Sequence, residues 1–267
     1  MANDAMDDIR KLRDGARNRK GKVLAIVSSH DKLGETSYPT GYWISELAHP
    51  YLLLWRAGYE VEVASPKGGK APVDAWSNPN SSVAQSPDDF VSTGLLENKL
   101  HGQKLSNTKK LSQINPGDYA GVWLVGGYGA AFEFADDPDI PRILRAVWEA
   151  DGIIASICHG SAGWLNAKAS NGDYLIQGQV ITGFSKAEDQ EVEKVVGSKF
   201  LKFYVEDELT KRGARYTRGE LFQPFATVSE NGRLVTGQQQ FSGEVFGTRL
   251  LQALENVRTS SASDHAA

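Results

Sequence analysis

Cysteine is almost absent from this chain: its 267 residues include one, Cys158. A single cysteine excludes a disulfide within the chain and fits a reducing compartment. No apolar run reaches the ~18 residues of a membrane span, and residues 3–22 are polar and charged, which is untypical of a secretory signal. We therefore expect a cytoplasmic protein that does not enter a membrane.

A large excess of charge of either sign is lacking too. The chain has 29 Lys and Arg residues against 33 Asp and Glu, a formal net charge of −4. Without a basic stripe suited to a phosphate backbone, nucleic acid is not an expected partner. The five histidines are scattered, and no Cys/His cluster has the spacing of a zinc site. The sequence therefore offers no metal site.

The chain does contain a regular alternation of strand-like and helix-like segments. Apolar β-type runs fall at 23–28, 59–64, 121–125, 153–157 and 180–182, and helical spacing at 42–57, 140–150, 199–212 and 244–256. Residues 226–228 and 233–236 flank Glu230-Asn231-Gly232, which favours a hairpin. Strands separated by helices predict a flavodoxin-like (Rossmann-like) α/β fold, with helices on both faces of a mostly parallel sheet.

The length and even composition favour one domain, residues 21–257. Residues 67–118 contain many Gly, Pro and Ser and show weak periodicity, so we expect a small inserted subdomain packed beside the sheet. Residues 1–20 are expected to form an N-terminal extension with a loosely held helix. Residues 258–267 are expected to form a disordered tail.

Cys158 ends the apolar run 153–157 and is followed by His159, Gly160 and further small residues. This layout is typical of a sharp strand-to-helix turn, where the corner residue is held toward solvent. A helix N-terminus and an adjacent imidazole would favour thiolate over thiol, so Cys158 is a candidate nucleophile. The alternative is a structural cysteine, since free cysteines are among the most buried residues.

A reactive thiol needs a partner that exchanges protons, and Glu46 is the first candidate. It lies four residues before Pro50, and proline in a helix usually marks the first turn or a kink. Glu46 is therefore expected near a helix start, above the first strand and facing the same crevice as Cys158. The alternative is a partner of the helix dipole or a solvated surface acid.

Several motifs together resemble those of the PfpI superfamily, which has a glutamine-amidotransferase-like fold. Residues 156–160, Ser-Ile-Cys-His-Gly, resemble its nucleophile elbow. Thr40-Gly41, Glu46 and His49-Pro50 resemble the first helix of its glutathione-independent glyoxalase branch, also described as glyoxalase III and heat-shock-type chaperones. The likeness spans residues 22–254 and continues in order through Ser65-Pro66-Lys67-Gly68-Gly69 with Asp74, Gly126-Gly127 with Gly129, Thr182-Gly183-Phe184 and Glu206-Asp207-Glu208-Leu209.

The resemblance implies an active site of Glu46, Cys158 and His159, because the family's glutamate, cysteine and histidine stand at these positions. It implies that the sulfur attacks the aldehyde carbon of methylglyoxal or a related 2-oxoaldehyde to give a hemithioacetal. Proton transfer between the two substrate carbons, by His159 or Glu46, and release by water would then yield a 2-hydroxy acid. No metal or organic cofactor is implied, and a homodimer is expected by analogy.

Two more sets of residues complete the expected site. Backbone N–H groups of Gly126, Gly127 and the residue after the elbow are expected to stabilise the developing alkoxide, because glycine permits close approach. Tyr128 stands where the family commonly has histidine and is expected to line the pocket. Glu188 and Asp189 are weaker candidates than Glu46 for an acid that orients His159.

The chain departs from the family pattern at further places. Ser161 replaces a proline, residues 238–240 are Gln-Gln-Gln in place of Gln-Asn-Pro, and Ala75-Trp76 replaces a smaller pair. Since Trp76 and Tyr128 are large, substrate size or preference is expected to differ. Two other functions stay open: a cysteine hydrolase acting on a peptide, a glycated amine or a similar substrate, and a non-enzymatic chaperone or redox sensor whose thiol is oxidised to sulfinate.

Overall fold

A computed structural model describes residues 20–264, and side chains up to residue 260. The strands are β1 (Lys22–Ile26), β2 (Glu60–Ser65), β3 (Lys109–Lys110), β4 (Gly121–Leu124), β5 (Ile153–Ile157), β6 (Val180–Ile181), β7 (Arg215–Tyr216), β8 (Ala226–Val228) and β9 (Leu234–Gly237). The helices are α1 (Ile44–Ala57), α2 (Phe90–Glu97), α3 (Gln103–Ser106), α4 (Tyr128–Glu133), α5 (Asp139–Glu149), α6 (Lys186–Val196), α7 (Val205–Lys211) and α8 (Gly243–Asp264).

Seven strands form the main sheet in the order β3-β2-β1-β4-β5-β9-β8. All neighbouring pairs are parallel except β8 and β9. The central strands β4 and β5 are fully buried, as expected for a parallel sheet covered by helices on both faces. This confirms the predicted flavodoxin-like α/β fold and the hairpin around residues 230–232.

The order of strands fixes where a ligand site can form. From β1 the chain crosses outward through α1 to β2, and from β4 it crosses in the opposite direction through α5 to β5. Because such crossovers are right-handed, α1 and α5 cover opposite faces of the sheet. The reversal leaves a crevice beyond the carboxyl ends of β1 and β4, which is the usual ligand site in this topology.

The segment expected to be inserted, residues 67–118, packs beside the sheet and contributes more structure than its weak periodicity indicated. It contains α2 and α3, and β3 extends the sheet by pairing with β2. Asp89 caps α2 by accepting hydrogen bonds from the N–H groups of Val91 and Ser92. β6 and β7 form a separate two-stranded sheet.

Two predicted boundaries in the second half of the chain are wrong. The predicted helix at 199–212 begins only at Val205, because Phe200 and Leu201 pack instead into a small cluster with Tyr128. The last helix continues to Asp264, so residues 258–264 are not a disordered tail. The hydroxyl of Thr259 donates to the Glu255 carbonyl oxygen within this helix. The predicted extension at 1–19 and the last three residues lie outside the described residues.

No helix within residues 20–264 combines the length and the apolar character that crossing a bilayer requires.

A carboxylate ties three strands together at one edge of the sheet. Glu62 on β2 forms salt bridges with Lys22 on β1, at 3.2 Å, and with Lys109 on β3, at 2.7 Å. The hydroxyl of Tyr119 donates a hydrogen bond to the same carboxylate at 2.6 Å. Although partial burial opposes ionisation, these donors lower the pKa of Glu62 to about 2.

Replacing this carboxylate is expected to weaken the fold. A depressed pKa stabilises the folded state above the unfolded-state pKa, and that stabilisation is lost as the pH falls toward 2. Glu62→Gln should lower the free energy of unfolding by about 1–3 kcal/mol at neutral pH. Urea denaturation between neutral pH and about pH 2 should show the difference shrinking as the solution becomes acid. Glu35→Gln, at an exposed position, is the control, and a constant difference at every pH would contradict the account.

Candidate active site

The three predicted catalytic residues meet at the crevice. Glu46 lies in the first turn of α1, after β1. Cys158 and His159 follow β5 directly, and Gly126-Gly127 follow β4. A cavity of about 490 Å³ opens here and is lined in part by Cys158, His159, Gly127 and Tyr128. The topology therefore brings together residues that are far apart in the sequence.

Cys158 occupies a strained corner between β5 and a short 3₁₀ helix. Its φ is 58°, a left-handed conformation that is rare outside glycine and often found at functional sites. Gly160 follows so closely under β4 that a Cβ there would lie 2.3 Å from the carbonyl oxygen of Leu124. The predicted elbow is therefore present, with a 3₁₀ helix in place of an α-helix.

The environment of the thiol differs from the prediction. Cys158 is 2 % exposed, so its sulfur is not held out toward solvent, although it lines the cavity. Burial and the charge of an ionised Glu46 raise the pKa of the Cys158 thiol, against the effect of N–H groups of Gly127 and His159 directed at the sulfur. The expected lowering of the pKa by a helix N-terminus does not prevail, because desolvation of the charged form outweighs it.

Glu46 is completely buried beside the sulfur. Its Oε2 accepts a hydrogen bond from the N–H of Gly126 at 2.9 Å, and the carboxyl group hydrogen-bonds with Cys158. Burial raises the pKa of Glu46 to about 8, although both hydrogen bonds lower it. Its other oxygen, Oε1, has no hydrogen-bond partner. At neutral pH Glu46 is therefore mainly a neutral carboxylic acid rather than a solvated surface acid.

Gly126 and Gly127 allow this close packing, each in its own way. A Cβ on Gly126 would lie 2.6 Å from both the Cβ of Cys158 and Oε2 of Glu46. Gly127 has a φ of 95°, which side chains rarely tolerate. Because the N–H of Gly126 is already donated to Glu46, Gly126 does not fit its predicted role as a donor to the substrate. The N–H groups of Gly127 and His159, in contrast to that of Gly126, are directed at the sulfur.

His159 is oriented by Asp189, which was considered a weaker candidate than Glu46. Nε2 of His159 lies 2.9 Å from Oδ1 of Asp189, and both side chains are buried. Nδ1 of His159 lies 3.5 Å from Sγ of Cys158. If Asp189 is ionised it can only accept, so Nε2 carries the proton and Nδ1 presents its lone pair to the sulfur. Adjacent residues in the sequence thus make a thiol–imidazole–carboxylate chain.

Two aromatic rings fix the plane of the imidazole. The rings of Tyr128 and His159 have centroids 4.4 Å apart, and those of Phe184 and His159 are stacked at 4.5 Å. The hydroxyl of Tyr128 also donates to Asp189 Oδ1 at 3.3 Å. Tyr128 therefore lines the cavity as predicted and also supports the pair formed by His159 and Asp189.

Glu188 forms no hydrogen bond with His159, and its carboxylate has other partners. It completes a capping box with Ser185 at the start of α6. Its Oε1 accepts hydrogen bonds from the N–H of Phe222 at 2.8 Å and from Nε2 of Gln238 at 2.9 Å. The prediction lacked α6, although Ser185 followed by Glu188 is a recognisable capping signal. That signal would have placed Asp189 in the first turn, beside the crevice.

Among residues 20–264 no group of three or more His, Cys, Asp or Glu side chains is arranged to hold a metal ion.

Comparison with known proteins agrees with this geometry. The DJ-1/PfpI family model matches residues 40–253. The chain is 30% identical over 244 residues to the glutathione-independent glyoxalase HSP31 of Saccharomyces cerevisiae, covering 89% of this chain and 99% of that protein. It is 28% identical over 235 residues to glyoxalase 3 of Candida albicans, covering 87% and 98%.

Two further similarities concern the fold and a different activity. The crystal structure of glyoxalase III from Candida albicans superposes with a TM-score of 0.75 at 24% identity, covering 88% of this chain and 98% of that one. The protein/nucleic acid deglycase HchA of Staphylococcus aureus is 26% identical over 255 residues, covering 90% and 83%. With most of its length matched by the family model and by these relatives, the chain belongs to the DJ-1/PfpI family.

Proposed function

We propose that this protein is a cofactor-independent, glutathione-independent glyoxalase that converts methylglyoxal or a related 2-oxoaldehyde to a 2-hydroxy acid. One observation carries the proposal: a buried thiol lies between a carboxyl group and an oriented imidazole, at the wall of an open cavity. The names of the two fungal relatives support the same reaction.

The first step forms a carbon–sulfur bond. Sγ of Cys158 attacks the aldehyde carbon, C1, while the thiol proton passes to Nδ1 of His159. The aldehyde oxygen becomes an alkoxide, which accepts hydrogen bonds from the N–H groups of Gly127 and His159. The imidazolium then protonates this oxygen, and the product is a neutral hemithioacetal. Before the attack the thiol is the donor in its hydrogen bond with Glu46. Once the thiol proton has left, the neutral carboxyl group of Glu46 can donate to the sulfur, which lowers the cost of the transient thiolate.

The second step moves hydrogen between the substrate carbons. Nδ1 of His159 removes the proton from C1 to give an enediolate, and the imidazolium returns it to C2. The proton on the C1 oxygen passes to the C2 oxygen, which leaves a thioester of the 2-hydroxy acid. Water then attacks the thioester, the carbon–sulfur bond breaks, and the sulfur regains a proton. The sum is one 2-oxoaldehyde and one water converted to one 2-hydroxy acid, so no redox cofactor is required.

This assignment divides two roles that were equivalent in the sequence. His159 lines the cavity, so it is placed to touch the substrate carbons. Glu46 lies behind the sulfur and exchanges a proton or hydrogen bond with it. Asp189 acts through His159 and is a positioning residue.

A cysteine hydrolase is the second candidate, because the same thiol and imidazole would serve acyl or glycated substrates. The deglycase name of a bacterial relative and the cavity volume of about 490 Å³ favour it. A redox sensor fits less well, since sensors need an exposed thiol of low pKa and Cys158 is buried with a raised pKa. A cytoplasmic location and a homodimer are part of the proposal, the first because a lone cysteine suits a reducing compartment and the second by analogy within the superfamily.

Removing the sulfur should separate these functions. With methylglyoxal and no glutathione, the wild-type protein should form lactate, and Cys158→Ala should lower kcat/KM by at least ~10³-fold. Enzymatic assay of lactate measures the result. Turnover of amide or glycated substrates alone would support the hydrolase, whereas suppression of aggregation that survives in Cys158→Ala, without any turnover, would support a chaperone.

The ability of His159 to accept a proton at Nδ1 should depend on Asp189. In Asp189→Asn the amide can donate to Nε2, which leaves Nδ1 protonated and unable to accept a proton. We expect kcat to fall by about 10²–10⁴-fold, with KM changed less than about threefold because Asp189 touches no substrate. Asp136→Asn, the same acid-to-amide change at an exposed position that does not line the cavity, is the control. Equal kinetics for the two variants would contradict the role of Asp189.

Burial of Glu46 should cost stability in a pH-dependent way. Its pKa is raised by folding, so the folded state holds a proton that the unfolded chain releases as the pH rises from about 4.5 to about 8. Stability is lost across this window. Glu46→Gln cannot ionise, so its free energy of unfolding relative to wild type should rise by about 2–4 kcal/mol between about pH 4 and pH 9. Denaturant titrations across that range measure it, and a pH-independent difference would refute the raised pKa.

A further inference from the structure

The wall of the active-site cavity is mostly aromatic and aliphatic. Away from the reacting groups its main contributors are Trp43, Trp76, Phe184, Val192, Phe222 and Phe241. Walls of this kind bind apolar groups, because burial removes apolar surface from water. The cavity volume, about 490 Å³, lies in the range of about 300–1,000 Å³ that holds drug-sized ligands. Methylglyoxal, whose substituent is a single methyl group, would leave most of this wall uncovered.

The lack of basic side chains in the cavity wall limits which substituents the substrate can carry. None of the described residues that line the cavity is Lys or Arg, and Glu191 is an acid at its edge. A carboxylate or phosphate on the substrate would therefore lose its hydration without gaining a cationic partner. The substituent that fits the wall is neutral as well as apolar.

Phe222 is held over the cavity at a cost in backbone energy. Its φ is 56°, a conformation that a bulky residue seldom adopts. The buried carboxylate of Glu188 fixes it by accepting its N–H at 2.8 Å. Its ring meets that of Phe184 edge-on at 6.4 Å, and Phe184 in turn stacks on His159. Strain that is maintained in this way is typical of a ligand contact.

Apolar side chains are also exposed at the cavity mouth. Phe241 is 40 % exposed and Val195 is 86 % exposed, and both line the cavity. Exposed apolar groups gathered around one opening commonly mark a ligand site. Together with Phe222 they extend the apolar wall outward from the sulfur.

We propose that the preferred substrate is a neutral 2-oxoaldehyde with an aromatic or bulky apolar substituent, selected by contacts with Phe222 and Phe241. This inference rests on the proposed glyoxalase activity and deepens it. The reacting aldehyde lies at Cys158, and the substituent extends along the aromatic wall toward the mouth. The proposal is specific to this chain, because Trp76 and Tyr128 stand where the family pattern has other residues.

Two substrates of different size test the preference. Phenylglyoxal should show a kcat/KM at least ~10-fold above that of methylglyoxal, since even one methylene in a hydrophobic pocket is worth about 10–200-fold. A carboxylate on the phenyl ring, in 4-carboxyphenylglyoxal, should abolish most of this advantage. Equal kcat/KM values for methylglyoxal and phenylglyoxal, or unimpaired turnover of the carboxylate, would overturn the proposal.

Variants separate recognition from intrinsic reactivity. Phe222→Ala and Phe241→Ala should each lower the ratio of kcat/KM for phenylglyoxal to kcat/KM for methylglyoxal by about 5–10-fold. Phe90→Ala removes an equally aromatic, exposed side chain on α2, outside this cavity, and should change neither value. Equal losses for both substrates in both cavity variants would show that the rings do not select the substituent.

A binding measurement keeps the inference testable apart from turnover. In Cys158→Ser, 2-hydroxyacetophenone should bind at least ~10-fold more tightly than hydroxyacetone, read from tryptophan fluorescence. If neither 2-oxoaldehyde is turned over but the aromatic ketone still binds more tightly, the proposed reaction is wrong and the recognition stands. If methylglyoxal is turned over but the two ketones bind equally, the reaction stands and the recognition is wrong.

Discussion

The burial of one carboxyl group against one thiol is the constraint on which the site depends. Taken out of water, Glu46 keeps its proton to a pKa of about 8 and can act as a neutral donor beside the sulfur of Cys158. The two groups titrate as a pair, because a negative charge on either makes ionisation of the other harder. Without substrate, both Glu46 and Cys158 are therefore mainly protonated at neutral pH. The thiol loses its proton only when the substrate carbonyl accepts the negative charge. Because oxidation of cysteine follows thiolate character and exposure, the burial and the raised pKa of Cys158 make its thiol less susceptible to oxidation.

The rest of the molecule serves to hold that pair in place. The central strands end at one level, with Ile26, Leu124 and Ser156 in register, so three consecutive loops meet at the sulfur. Gly126 supplies the space, since any side chain there would collide with both members of the pair. On the other side α6 brings Asp189 to His159. The fold thus places a left-handed cysteine and three buried ionisable side chains, Glu46, His159 and Asp189, close together, which is typical of a functional site.

Hydrophobic periodicity predicts most strands of the main sheet and helices α1, α5 and α8. It places residues 153–157 to the residue, because a buried run ends there at a change of pattern. The elbow and Glu46 followed from spacing and from the resemblance. The protonation of the site did not, because the burial of a carboxyl by distant segments leaves no local signal. For the same reason the sequence ranks Asp189 below Glu46 as the partner of His159, because α6 reaches the elbow only through tertiary contacts. The capping signal of Ser185 and Glu188 does mark the start of α6. Residues 258–264 show the opposite error: their polar composition predicts disorder, but the last helix continues through them.

The protonation state of Glu46 tests the account most directly. Infrared difference spectra between the wild-type protein and Glu46→Gln would isolate the carbonyl stretch of this one side chain. The account predicts the band of a protonated carboxylic acid at neutral pH, replaced by carboxylate bands with a midpoint near pH 8. Carboxylate bands already present at neutral pH, with no acid band to titrate, would contradict it.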